Sequence, residues 1–230
     1  MLEINLNNIG KRYNYEWIFR KLDYDFTSDN NYVILGSNGS GKSTLLQVIA
    51  GNLTNSEGEI NYRKSSSNVT LSATESRSSR AESRDEGQPS AIETENIFKQ
   101  LSYCAPYLDM FEEFTLTESI AFQEKFKPFQ AGLDLKKIIE LTELEKSKDK
   151  QLKYYSSGMK QRVRLALAVL ADTPLLLLDE PTSNLDKKAI SWYQKLVTDY
   201  STNRLIIVAS NQQEYEYPFC NKQLNIEEYK

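Results

Sequence analysis

The sequence predicts an α/β fold: a parallel sheet covered on both faces, a small antiparallel sheet at its N-terminal end, and a helical middle. Three observations carry this. Short continuous apolar runs at residues 33–35, 175–178 and 205–209 alternate with helical patterns, as strands buried on both faces do. The beginning of the chain alternates apolar and polar residues instead, which suits strands with one wet face. The first apolar run stops at a glycine-rich stretch that leads straight into a helical pattern.

Taken in order, residues 2–6, 17–19 and 22–26 read as short strands joined by turns, and residues 42–50 as the helix after the first apolar run. A strand is expected near residues 59–62 and another near 101–105. Residues 64–90 between them differ from the rest: nine of the 27 are serine, none is aromatic, and Val69 and Leu71 are the large apolar ones. So little apolar surface cannot offset the entropy of ordering the chain, and the segment reads as a disordered insertion. Thr115 and Glu118 have capping-box spacing before an apolar helix. Met159, Val163, Leu167 and Leu170 recur at helical spacing. A helical subdomain is expected over about 106–158, within a single domain spanning 1–230.

Composition narrows the chemistry. The 230 residues are 40% hydrophobic and 26% charged, enough for one sizeable core. A net charge of −4 gives no field that gathers nucleic acid. Cys104 and Cys220 lack metal-ligand spacing and read as reduced thiols. The absence of histidine removes the commonest general base and metal ligand, leaving carboxylates, hydroxyls, lysine or a metal brought by a substrate. Residues 1–10 do not look like a secretory signal. The longest apolar runs, 165–171 and 205–209, are too short to span a bilayer, so work at a membrane would need a partner.

Gly36, Ser37, Asn38, Gly39, Ser40, Gly41, Lys42, Ser43 and Thr44 fit the pattern G-x-x-x-x-G-K-[ST], after a strand and at the start of a helix. Glycines let successive backbone N–H groups turn toward phosphate oxygens, and the helix N-terminus adds a favourable dipole. Lys42 would reach the β- and γ-phosphates and Ser43 would ligate Mg²⁺. Asp179 and Glu180 end the 175–178 run; Asp179 would hold Mg²⁺ directly or through water, and Glu180 would polarise the attacking water. Together these predict a nucleotide hydrolase of the phosphate-loop class, with Mg²⁺ beside the phosphates.

A narrower reading comes from Tyr155, Ser156, Ser157, Gly158 and Met159, followed by Lys160, Gln161 and Arg162. This stretch resembles the signature of ABC-type ATPases. Asp179 to Asp186 resembles the family's acidic strand end and D-loop almost letter for letter. The resemblance covers nearly the whole chain outside 64–90 and implies an ATP-binding and ATP-hydrolysing subunit. In the family the signature closes on ATP held by an opposite subunit, which implies a homo- or heterodimer with Ser156, Ser157, Gly158 and Met159 facing the partner's ATP. It also implies a separate membrane-spanning transporter subunit, docked near residues 107–114, and a place on the cytoplasmic face of the membrane. Tyr13 stands where the family stacks an aromatic on adenine. The Tyr-Ser-x-Gly-Met form looks like export systems.

The sequence departs from the family in four places. Pro106 falls where a glutamine is usual, and Asn211 where a histidine follows the last core strand. Ser157 and Met159 replace a glycine and a glutamine of the signature. These leave nucleotide binding in place and bear on the hydrolysis rate, with Asn211 joining Glu180 and Lys42 as catalytic candidates. Two alternatives stand beside transport: a soluble ABC ATPase outside transport, and a slow ATP-gated switch.

Overall fold

A computed structural model describes residues 1–64 and 90–230. The insertion expected at 64–90 therefore lies, apart from its two end residues, outside the described residues.

β1 (Leu2–Tyr13) and β2 (Glu16–Thr27) form a long antiparallel pair. The sequence predicted separate short strands at 17–19 and 22–26; they are one strand. The cause is a bulge. Leu2, Ile4 and Leu6 are buried, and then Ile9; on β2 Phe19 is buried, and then Leu22 and Phe26. Asn8 and Lys21, with φ of 51° and 55°, lie where the buried parity switches, so the apolar face is kept without a turn. β4 (Glu57–Lys64) and β5 (Ser90–Ile92) complete this sheet in the order β2-β1-β4-β5. Lys64 pairs directly with Ser90.

The second sheet has the order β6-β7-β8-β3-β9, with every pair parallel. Its strands are β3 (Asn31–Leu35), β6 (Leu101–Cys104), β7 (Leu175–Asp179), β8 (Leu205–Ser210) and β9 (Lys222–Asn225). Alternate side chains feed two cores. Leu175, Leu177, Ile34 and Ile207 join β1, β2 and α1 (Lys42–Ile49). Leu176, Leu178, Val33 and Val208 join the core lined by α2 (Leu116–Glu124), α3 (Leu135–Thr142), α4 (Ser157–Leu170) and α5 (Lys187–Tyr200). Each leucine of β7 is fully buried and contributes about 1.5–3 kcal/mol relative to exposure. That explains why the run carries no polar residue before Asp179.

α2 starts with the expected capping box of Thr115 and Glu118. Arg204, buried at the start of β8, donates to Val169 O at 2.6 Å, Thr173 Oγ1 at 2.7 Å and Ser102 Oγ at 2.8 Å. It thereby ties together the N-terminal ends of the central strands. Cys104 and Cys220 are free; burial pushes both thiols up to about 12, which makes them poor nucleophiles. No helix among the described residues is long and apolar enough to cross a membrane.

Candidate functional site

The C-terminal ends of β3, β7 and β8 meet at one edge of the parallel sheet. After β3 the chain curls through residues 36–41 into α1. Gly41 has φ +107°, and a Cβ there would lie 2.6 Å from Ile18 Cγ2; backbone shape and the close approach of β2 both demand glycine. Lys42 is almost wholly buried. Its ammonium donates to Gly36 O at 2.9 Å, to Ser37 O at 3.0 Å and to Asn211 Oδ1. Burial lowers the lysine pKa, opposed by Glu180, Asp179, Glu216 and Glu227. Ser43 and Thr44 follow in the first turn of α1.

Asp179 ends β7 and is 1% exposed. Its Oδ2 accepts from Tyr107 Oη at 2.9 Å, and Tyr103 Oη lies 3.4 Å from the same oxygen. Its Oδ1 is buried and has no hydrogen-bond partner, and the same holds for Ser40 Oγ. Burial raises the Asp179 pKa; the hydroxyls of Ser43 and Tyr107 pull it down, and the charge of Glu180 pushes it up.

Glu180 has φ 41°, in the left-handed region. This bend ends the strand, and the Glu180 N–H donates to Ala209 O at 2.9 Å. Its Oε1 accepts from Asn211 Nδ2 at 2.8 Å. Asn211, one residue beyond β8, thus bridges the loop lysine and the Glu180 carboxylate through the two ends of one amide. Glu216, 4% exposed, accepts from Thr182 Oγ1 at 2.7 Å and from Ser210 Oγ. It joins the turn after Glu180 to the end of β8.

A cradle of N–H groups with a buried lysine suits a polyphosphate. Among the described residues no group of three or more His, Cys, Asp or Glu could hold a metal. The free oxygen of Asp179 beside Ser43 instead fits an ion that brings most of its own oxygen ligands, as Mg²⁺ on a polyphosphate does.

The signature residues lie at the start of α4. Ser156 caps the helix by accepting from the Met159 N–H at 3.3 Å, and Ser157, Gly158 and Met159 form its first turn. A Cβ at Gly158 would sit 2.9 Å from Asn184 O, so glycine here allows α4 to touch the turn that follows Glu180. Gln161 Nε2 donates to Pro181 O at 2.9 Å across the same contact. Asp186 caps α5, accepting from the Ala189 N–H at 2.8 Å. Tyr13 is the last residue of β1, half-exposed, with Lys11 Nζ 5.3 Å from its ring centroid.

Ser37 is already engaged: Glu227 accepts its N–H at 3.0 Å and its Oγ at 2.6 Å. At the aligned glutamine position Pro106 brings no polar side chain, but the next residue, Tyr107, reaches Asp179 in its stead. The sequence reading missed Tyr103, Tyr107, Gln47, Glu216 and Glu227. None belongs to a motif; the spacing of Tyr103, within β6, and Tyr107, just beyond it, was the one available signal.

Comparison with known proteins agrees with this geometry. The chain is 28% identical over 215 residues to human ATP-binding cassette sub-family A member 10, covering 90% of this chain and 12% of that protein. It is 29% identical over 224 residues to the energy-coupling factor transporter ATP-binding protein EcfA1 of Thermotoga maritima, covering 93% of this chain and 74% of the relative. The fold matches a putative ABC transporter ATP-binding protein from Pyrococcus furiosus with a TM-score of 0.73 at 17% identity, over 99% of this chain and 98% of that one. The family model described as ABC transporter matches residues 19–183, a span that runs from the strand packed on the phosphate loop to the turn beyond Glu180, and on that ground the chain belongs to the ABC transporter family.

Proposed function

We propose that this chain binds ATP with Mg²⁺, hydrolyses it, and drives transport through a membrane-spanning subunit on another chain. The observation that carries the proposal is the Asn211 bridge between Lys42 and Glu180. Residues 36–44 hold the phosphates, and Tyr13 offers a ring to the base. Mg²⁺, when bound through Ser43 and Asp179, supplies charge stabilisation at the transferring phosphoryl group. Glu180 takes a proton from the attacking water. Asn211 holds Glu180 in place and offers its amide N–H toward the phosphate side.

Ser156, Ser157, Gly158 and Met159 open α4 as an exposed or half-buried helix N-terminus, a ready anion site. This supports a dimer, homo- or hetero-, in which the signature and Asp186 of one chain close on the ATP of the other. A groove of about 240 Å³, lined in part by Leu108, Met110, Phe111, Phe114 and Phe122, supports docking of the membrane subunit on the cytoplasmic face. Phe111 in the groove is 59% exposed and Phe126, its ring 5.0 Å from that of Phe122, is 71% exposed, more apolar ring than a free surface favours. The signature form supports export as the direction.

Asparagine donates a neutral hydrogen bond where a charged histidine would donate a stronger one, so turnover is slow. Asn211→Ala removes both ends of the bridge and is expected to slow Mg²⁺-dependent phosphate release a further 5- to 30-fold or about 1–2 kcal/mol. Steady-state phosphate release measures it. An unchanged rate would reduce Asn211 to a loop residue, and ATP binding without turnover in the parent chain would favour an ATP-gated switch.

A further inference from the structure

We infer that Tyr107 is a positioning residue for the metal-binding carboxylate, holding Asp179 by one oxygen so that the other stays free for Mg²⁺ or its water. The direction of each hydrogen bond follows from which groups can donate. The Gln47 amide nitrogen, 3.2 Å from Tyr107 Oη, can only donate. The Asp179 carboxylate, 2.9 Å away, accepts. The single Tyr107 proton therefore points at Asp179 Oδ2. Tyr103 Oη also touches Tyr107 Oη and lies 3.4 Å from Asp179 Oδ2. Its proton faces the second lone pair of Tyr107, whose oxygen is then fully used. Tyr107 is in this arrangement a donor to the carboxylate and not itself a metal ligand.

The frame around the hydroxyl is fixed. Leu108 N–H closes a turn on Ala105 O at 3.2 Å, and Leu108 O accepts from Arg164 Nε of α4 at 2.8 Å. Gln47 reaches in from α1, the helix that begins with Lys42 and Ser43. The donor to Oδ2 is thus held by three separate elements, while Oδ1 of the same carboxylate is buried and unpartnered. A carboxylate with one oxygen held and the Ser43 hydroxyl beside it presents its other oxygen in a set direction, which an octahedral ion of strict geometry requires.

This rests on the reading of residues 36–44 and Asp179 as a Mg²⁺-nucleotide site, and the test separates the two. A fluorescent ATP analogue is titrated into the full chain in EDTA and in Mg²⁺, and the ratio of affinities is the readout. Tyr107→Phe keeps the ring and removes the hydroxyl. The Mg²⁺-dependent gain is expected to fall about 10-fold, the scale of a charge-assisted hydrogen bond, with binding in EDTA unchanged. Gln47→Leu, which leaves the hydroxyl but frees a lone pair, gives a smaller fall in the same direction. An undiminished gain in Tyr107→Phe overturns the inference. So does an equal loss with and without Mg²⁺, which marks a packing role. A parent chain that gains nothing from Mg²⁺ sinks the underlying site reading as well.

Discussion

Glu216 shows how far a single residue can act from a motif. Its carboxylate is buried between Thr182 and Ser210, and burial raises its pKa above the ordinary 4.5, against the pull of the two hydroxyls. A carboxyl whose folded pKa is raised contributes stability that is full below its unfolded pKa and is lost as pH rises through the folded value. The wild-type chain should therefore lose part of its stability from about pH 4.5 upward. Glu216→Gln cannot titrate, yet its amide oxygen still accepts from Thr182 and its NH₂ still meets Ser210. The substitution is expected to flatten that decline, so that the variant gains on the wild type as pH rises toward neutral. Denaturant unfolding across pH checks this; parallel curves would show that Glu216 titrates alike in both states.

At the scale of elements, Gly158 decides how α4 meets the turn after β7. Alanine is the better helix former by about 1 kcal/mol, yet its Cβ would press to 2.9 Å from Asn184 O, and neither backbone yields cheaply. Gly158→Ala is expected to bind a fluorescent ATP analogue as the parent does while phosphate release falls about 10-fold. Equal rates would show that the contact is slack. Elements with one dominant signal were legible in the sequence. The four leucines of β7 suit only a doubly buried strand, and the start of α1 follows from the loop glycines and Lys42. β2 was not legible as one strand, because the bulge at Lys21 shifts its pattern without leaving a turn signature. β5 and β9 are short, and their pairing is set by tertiary contact. The site divides likewise. Lys42 opens α1 and Asp179 and Glu180 end β7, all marked by motifs, while Asn211, just beyond β8, is marked by the family resemblance. Tyr107, Gln47 and Glu216 enter from neighbours that only the folded chain brings near.

At the scale of the molecule, residues 65–89 connect two residues that already pair, Lys64 and Ser90. Replacing them with a two-residue Asn-Gly turn should leave ATP-analogue binding intact, and the shorter loop lowers the entropic cost of closure by about 2 kcal/mol. Lost binding in that variant would give the stretch a part in the site. The catalytic claim concerns the whole assembly, since in the proposed dimer the signature of a second chain completes each site. Its most direct test is Glu180→Gln, which keeps a side chain able to accept from Asn211 but removes the base. With ATP and Mg²⁺, phosphate release is expected to fall by about 10²–10⁴-fold, while the nucleotide stays bound and the chain elutes as a dimer on size exclusion. Hydrolysis at the parent rate would contradict Glu180 as the base and with it the proposed mechanism.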